Sequence, residues 1–178
     1  RFPMKVPFFV FTGRAQSGKT TSARFLMDRG FRLISFADPL KRMLQAITLV
    51  TDKHSRPAVL CGKSIREAYQ TLGTEWGRKQ IGEDIWVRCA VESVNNAVKE
   101  YYEGFNQGIV IDDCRFDNEA EAMKQLGATV IKIERDQAEV MEHESEKGVS
   151  SHLCDFTILN SKSEDSLQEA VLDLCGLA

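Results

Sequence analysis

The stretch Gly13-Arg14-Ala15-Gln16-Ser17-Gly18-Lys19-Thr20 constrains this chain more than any other. It fits the Walker A pattern, Gly-x4-Gly-Lys-Thr. It also stands between a short apolar run, Phe8 to Phe11, and a helix-like segment from Ser17 to Met27 closed by Gly30. Strand, glycine-rich turn, helix is the setting in which that pattern has physical meaning. Gly13 and Gly18 permit conformations and approaches that a Cβ would block, so consecutive N–H groups can turn inward toward an anion at a helix N-terminus. Lys19 would bridge the β- and γ-phosphates of a nucleoside triphosphate, the Thr20 hydroxyl would hold Mg²⁺, and Thr21 is placed with the loop as nucleotide-binding. The plain alternative is a chance glycine-rich turn, against which the placement argues.

The rest of the chain repeats the alternation. Phe31 to Phe36 reads as a second strand, after which Asp38 can cap a helix with Pro39 in its first turn and Leu40, Met43, Leu44 and Ile47 on one face. Residues 51 to 63 read as loop, and Ser64 opens a helix through about Gly73. A helical stripe runs through Val87, Ala90, Val91, Val94, Ala97, Val98 and Tyr101. Ile109-Val110-Ile111 is a buried strand by its β-branched content, followed by a charged helix from Asn118 to Leu126 and the strand Thr129 to Ile133. The polar segment Asp136 to Ser151 is predicted to be a mobile flap. Phe156 to Leu159 is a last strand, and Leu167, Ala170, Val171 and Leu174 mark a final helix. About five strands alternating with helices imply an α/β fold with a parallel sheet covered on both faces. A length of 178 residues fits one domain, 1–178.

Composition matters mainly for what it excludes. A net charge of −3 offers no basic face to a nucleic-acid polymer, although a local cluster can still meet a small anion. No apolar run approaches the roughly 18 to 20 residues of a membrane span, so no membrane partner is expected. No leader-like segment opens the chain, and the five cysteines are scattered without a CxxC pair. A cytoplasmic setting with reduced thiols is therefore the expectation. His143, His152 and Cys154 match no zinc spacing. A homodimer is left open.

A second informative stretch is Ile109-Val110-Ile111-Asp112-Asp113-Cys114-Arg115-Phe116-Asp117-Asn118-Glu119, where carboxylates leave the C-terminal end of a buried strand, the edge at which open α/β sheets bind ligands. Asp112 or Asp113 could reach the magnesium through water, and Arg115 could neutralise phosphate charge. The competing reading makes one of the aspartates a helix cap and Arg115 a surface residue.

Four patterns resemble the deoxynucleoside monophosphate kinases found mainly in bacteriophages. They are the loop at 13–20, Ser35-Phe36-Ala37-Asp38-Pro39-Leu40-Lys41, Leu72-Gly73-Thr74-Glu75-Trp76-Gly77-Arg78 with Asp84-Ile85-Trp86-Val87, and Asp113-x-Arg115-Phe116-x-Asn118-Glu119. His143-x-Ser145-Glu146 and the segment Asp155 to Asn160 look similar too, so the likeness covers most of the chain. Asp117 departs from the pattern, where proline is expected, and Asp112 is an extra acid. The resemblance implies a three-layer P-loop kinase fold with an acceptor-binding helical region at about 38–103 and a small lid at about 135–152. It implies transfer of the γ-phosphoryl group of ATP, with Mg²⁺, to a deoxynucleoside monophosphate, in the cytoplasm of a bacterial host if the chain is phage-encoded.

In such an enzyme Lys19, Arg115 and Arg135 would act on the transferring group, and Thr20 and Asp113 would lie on the metal side. Asp38, Lys41, Arg78, Lys79, Arg88, Asp113 and Glu119 would bind the acceptor, with Arg78 the best candidate for its phosphate because a guanidinium can hold it bidentately. Arg66 is a further cation in reach of this role. Trp76 and Trp86 could stack on a base, though large aromatics more often fill cores. Two rivals are a kinase for another small acceptor (a nucleoside, dephospho-coenzyme A or phosphomevalonate) and a nucleotide-dependent ATPase switch. An alcohol acceptor would require a base such as Asp38.

Overall fold

The computed structural model describes residues 5–50, 52–135 and 148–178. The chain divides into two compact units, Arg1–Ser35 with Val91–Ala178, and Phe36–Ala90.

The first unit is built on five strands: β1 (Phe8–Thr12), β2 (Arg32–Ile34), β3 (Ile109–Cys114), β4 (Thr129–Glu134) and β5 (Phe156–Leu159). They form one sheet in the order β2-β3-β1-β4-β5, and each pairing is parallel. The parallel sheet expected from the alternation is thus present. The apolar runs explain why it is buried on both sides. Phe11, Val110, Ile131, Ile133 and Ile158 point into a core shared with Ala23, Phe25 and Leu26 of α1 (Lys19–Met27) and Leu167, Val171 and Leu172 of the last helix, Glu164–Cys175. Val10, Ile109, Ile111 and Val130 alternate to the opposite face and are equally buried. On that side the helix Asp117–Gln125 packs against β4 and buries Ala120 and Met123. Burying one such side chain contributes about 1.5–3 kcal/mol, so the strands are held by packing at least as much as by their ladders.

β1 is central, with the chain passing first to the β2 side and later across to β4. Such a reversal opens a crevice at the carboxyl ends of the strands. Thr12 pairs with Cys114 of β3 and with Lys132 of β4, so three strand ends meet beside the glycine-rich loop.

The second unit is helical. Helix α2 (Asp38–Thr48) carries Leu40 and Leu44 on its buried face, but its N-cap is Ala37, not Asp38. Asp38 is already the first helical residue. Its carboxylate lies 3.4 Å from the Lys41 ammonium one turn on, and its negative charge in the first turn favours the dipole. Helix α3 (Ile65–Gln70) starts as expected at Ser64, whose hydroxyl accepts from the Glu67 N–H while the Glu67 carboxylate accepts from the Ser64 N–H. The Ser64 N–H and hydroxyl, with Arg56 and Lys63 nearby, hold the Glu67 carboxyl down at about 2.

The sequence places the end of this helix near Gly73, yet the coil continues to Ile81 in the wider π form, Thr71–Ile81, and closes with the Gly82 N–H donating to the Gly77 carbonyl at 2.9 Å. Packing explains the extension. A Cβ on Gly77 would lie 2.4 Å from Cζ2 of Trp86, and one on Gly73 would lie 3.3 Å from Cδ1 of Leu40. Trp86 is buried, with its indole N–H donating to the Gly73 carbonyl at 2.9 Å, and Trp76 lies against it at a ring separation of 6.2 Å. Trp86 is therefore a core residue and is not exposed for base stacking. The loop at 52–63 contains a short 3₁₀ turn, Ala58–Leu60. In the helix Ile85–Tyr102, Val87, Ala90, Val94 and Ala97 are buried. Among the described residues no helix is long and apolar enough to cross a membrane.

Candidate active site

β1 ends at Thr12 and α1 begins at Lys19, with Gly18 as its N-cap in a left-handed conformation, φ 110°. The first amides of α1 thus open directly from the loop and are available to an anion. Gly13 has φ 137°, and a Cβ there would lie 2.2 Å from the Ile133 carbonyl oxygen on β4. Gly13 is required by geometry as well as by conformation, and Gly18 by its left-handed backbone. Gln16 also takes a positive φ, 60°, so the turn reverses tightly. The Lys19 ammonium curls over this turn, donating to the carbonyls of Gly13 at 2.7 Å and Arg14 at 2.6 Å. Loop carbonyls hold the cation at the mouth, where an incoming phosphate can take it over. This is a cradle that suits a triphosphate: a positive helix end, backbone amides, a poised ammonium and the exposed Thr20 hydroxyl.

Gln16, Gly18, Lys19, Thr20 and Thr21 line one cleft of about 320 Å³ together with Arg135, Asn160 and Lys162. Arg135 directly follows β4, and its exposed side chain brings a second positive charge to the loop. Arg14 and Ala15 form the turn beneath; the Arg14 carbonyl accepts from Lys19 and from the Ser17 N–H.

At the end of β3, neither Asp112 nor Asp113 caps the next helix, since both lie within the strand. Asp113 accepts a hydrogen bond from the Ser35 hydroxyl at 2.5 Å, which ties the ends of β2 and β3 together and orients the carboxylate. Arg115 is exposed just beyond. Glu119, expected on the substrate side, is 3% exposed, and its Oε2 accepts from the N–H groups of Arg115 at 2.8 Å and Phe116 at 3.1 Å. It shapes the turn that presents Arg115. Burial, reinforced by the Glu119 and Asp113 carboxylates, pushes the Cys114 thiol well up, and burial likewise raises the thiols of Cys154 and of Cys175, the latter to about 12. These shifts favour the protonated thiol over the nucleophilic thiolate. Among the described residues no group of three or more His, Cys, Asp or Glu side chains could hold a metal ion.

A family model for deoxynucleotide monophosphate kinase matches residues 58–171. The chain belongs to this family. Because the match begins after the loop at 13–20, the loop's geometry and the family assignment are independent observations. "Putative deoxynucleotide monophosphate kinase" of Acanthamoeba polyphaga mimivirus is 29% identical, over 69% of this chain and 71% of that protein. A crystal structure of "a putative kinase" from Chloroflexus aurantiacus superposes with a TM-score of 0.51 at 13% identity, covering 96% of this chain and 98% of that one. At that identity the likeness is one of fold, and it agrees with the three-layer P-loop kinase architecture. As a member of the deoxynucleotide monophosphate kinase family with this loop, the chain is a nucleotide kinase.

The remaining candidates of this kinase lie in the second unit. Asp38 and Lys41 pair on α2. Arg78, partly buried, and Lys79 lie near the end of the π-helical run, where Lys79 reaches both oxygens of Glu75 at 2.9 Å. Arg88 is exposed on the helix Ile85–Tyr102, and Arg66 is exposed on α3. The run that carries Arg78 was not legible as π-helix, because no residue type encodes an i→i+5 ladder.

Two further roles escaped sequence reasoning. Asp117, the departure from the family pattern, accepts from the Ser150 N–H at 2.8 Å and its hydroxyl at 2.6 Å. These two bonds hold its carboxyl below the usual range. With Val149, whose N–H reaches the Thr12 hydroxyl at 3.4 Å, this contact fixes the chain where it rejoins the sheet. The central part of the expected lid, residues 136–147 with His143, Ser145 and Glu146, lies outside the described residues. The second role is that of Asn160, which the sequence marked only as the end of the family-like segment Asp155 to Asn160, at the carboxyl end of the last strand.

Proposed function

We propose that this kinase transfers the γ-phosphoryl group of ATP to a deoxynucleoside monophosphate, giving the diphosphate and ADP. The observation that carries the reading is the Lys19 ammonium poised over a sterically obligatory glycine cradle in a chain of the deoxynucleotide monophosphate kinase family. The loop from Gly13 to Thr21 would hold the triphosphate. Thr20 and Asp113 would hold Mg²⁺, which would neutralise charge on the phosphates when bound. Phosphoryl transfer depends mainly on alignment and charge stabilisation, which Lys19, Arg115 and Arg135 would supply. On the acceptor side Arg78 would grip the monophosphate, with Lys41, Lys79 and Arg88 adding positive charge and Asp38 binding the sugar or orienting Lys41.

A phosphate monoester with a second pKa of about 6 is already largely dianionic at neutral pH, so no general base is required. The test is a panel of deoxynucleoside monophosphates with Mg-ATP, read by diphosphate formation. At least one member is expected to be converted; conversion of none defeats the proposal. In the same assay Asp38→Asn is expected to lower turnover only severalfold. Its complete loss would mean that a carboxylate base is needed and that the acceptor is an alcohol.

A further inference from the structure

Asn160 stands at the carboxyl end of β5, immediately after Leu159. Both ends of this edge strand are pinned. At its start the Asp155 carboxylate accepts from the Val130 N–H at 2.8 Å and pairs with Lys124 at 2.5 Å. At its finish the Asn160 N–H donates to the Glu134 carbonyl at 2.7 Å. From that fixed base the Asn160 side-chain amide reaches across to the phosphate loop, Nδ2 donating to the Ser17 carbonyl at 2.9 Å. The opposite amide orientation would set oxygen against oxygen, so the donor assignment follows from the partner.

We infer that Asn160 is a positioning residue for the phosphate loop, acting through the peptide between Ser17 and Gly18. The inference rests on the triphosphate-binding part of the proposed function. In a trans peptide the C=O and the N–H point opposite ways. Holding the Ser17 carbonyl toward β5 therefore turns the Gly18 N–H, at the N-cap of α1, away from Asn160 and leaves it to face an anion. The fit is close on both sides. A Cβ on Gly18 would lie 2.6 Å from Asn160 Nδ2 and 3.3 Å from Cδ2 of Leu167, so the second glycine of the motif is what lets the amide approach. Asn160 also lines the cleft that holds Lys19 and Thr20, which places the clamp beside the loop where the phosphates would bind. The cost of ordering the loop is met before the nucleotide arrives, and preordered donors bind more tightly than donors that must be ordered on binding.

The test uses the full chain and two variants, Asn160→Asp, which keeps the shape but sets a carboxylate against the carbonyl, and Asn160→Ala. Calorimetric titration with Mg-ATP and with Mg-tripolyphosphate is expected to show a Kd raised about tenfold for both ligands. The melting midpoint of the ligand-free variants should stay within about 4 °C of the parent. In steady state the KM for the triphosphate should rise while that for the monophosphate stays unchanged. Equal affinities for the variants and the parent would overturn the inference, as would weakening confined to ATP, which would mean that Asn160 reads the base. Should the parent bind both polyphosphates yet phosphorylate no monophosphate, the kinase reading fails while the positioning role is still judged by its own titrations. Absence of polyphosphate binding in the parent would sink both.

Discussion

Lys19→Ala is expected to lower kcat/KM for nucleotide phosphorylation by about a thousandfold, the scale seen when one preorganised charge donor is taken from a site that stabilises an anion. The ammonium sits at the mouth of the cradle and donates to the carbonyls of Gly13 and Arg14. A triphosphate entering there would exchange those carbonyls for phosphate oxygens. Little of the fold should be lost, because the Lys19 side chain is only partly buried and water can replace it at the two carbonyls. Steady-state kinetics beside a thermal melt separates the two effects. Transfer within tenfold of the parent would show that Lys19 is not the phosphate-bridging group.

Gly13→Ala should fail differently, through the fold as well as the site. An alanine at φ 137° is strained whatever surrounds it, and here its Cβ would lie 2.2 Å from the Ile133 carbonyl oxygen and 2.9 Å from the Ser17 hydroxyl oxygen. The Ile133 carbonyl belongs to β4, paired on both sides in the middle of the sheet, so it cannot yield cheaply. A loss of about 2–4 kcal/mol is expected. That corresponds to a melting midpoint lower by about 5–15 °C for a chain of this size. Gly82→Ala is the comparison: its backbone is extended at φ 161°, and nothing lies within 4 Å of the added methyl group. It should melt within about 2 °C of the parent, a typical surface change. Equal behaviour of the two variants would remove the steric argument for the first glycine of the loop.

Much of the first unit was legible because its signals are local. β1 follows from four adjacent apolar residues, the loop from its glycines, and β3 and β4 from β-branched runs whose every residue must be buried in a parallel sheet. The start of α3 was legible for the same reason, since a serine followed three residues later by glutamate satisfies two orphan amides at once. Asp38 shows the limit of such reasoning. Aspartate before proline looks like a cap, yet Lys41 one turn along competes for the carboxylate, and the helix begins one residue earlier. Glu119 shows it again: the family resemblance implies a substrate-side role, and nothing in the local sequence announces that its buried carboxylate accepts the backbone N–H groups of Arg115 and Phe116.

The chain as a sequence thus determined that a glycine-rich loop of the Walker A pattern links a strand to a helix, because the conformations the loop needs are readily available only to glycine. Tertiary structure decided what holds that loop in shape. The Ile133 carbonyl beside Gly13, the Asn160 amide on the Ser17 carbonyl, the Ser35 hydroxyl on Asp113 and the Asp117 grip on Ser150 join residues far apart in the chain. No local pattern encodes such pairs. They exist only once the parallel strands stand in register and bring their carboxyl ends to one edge.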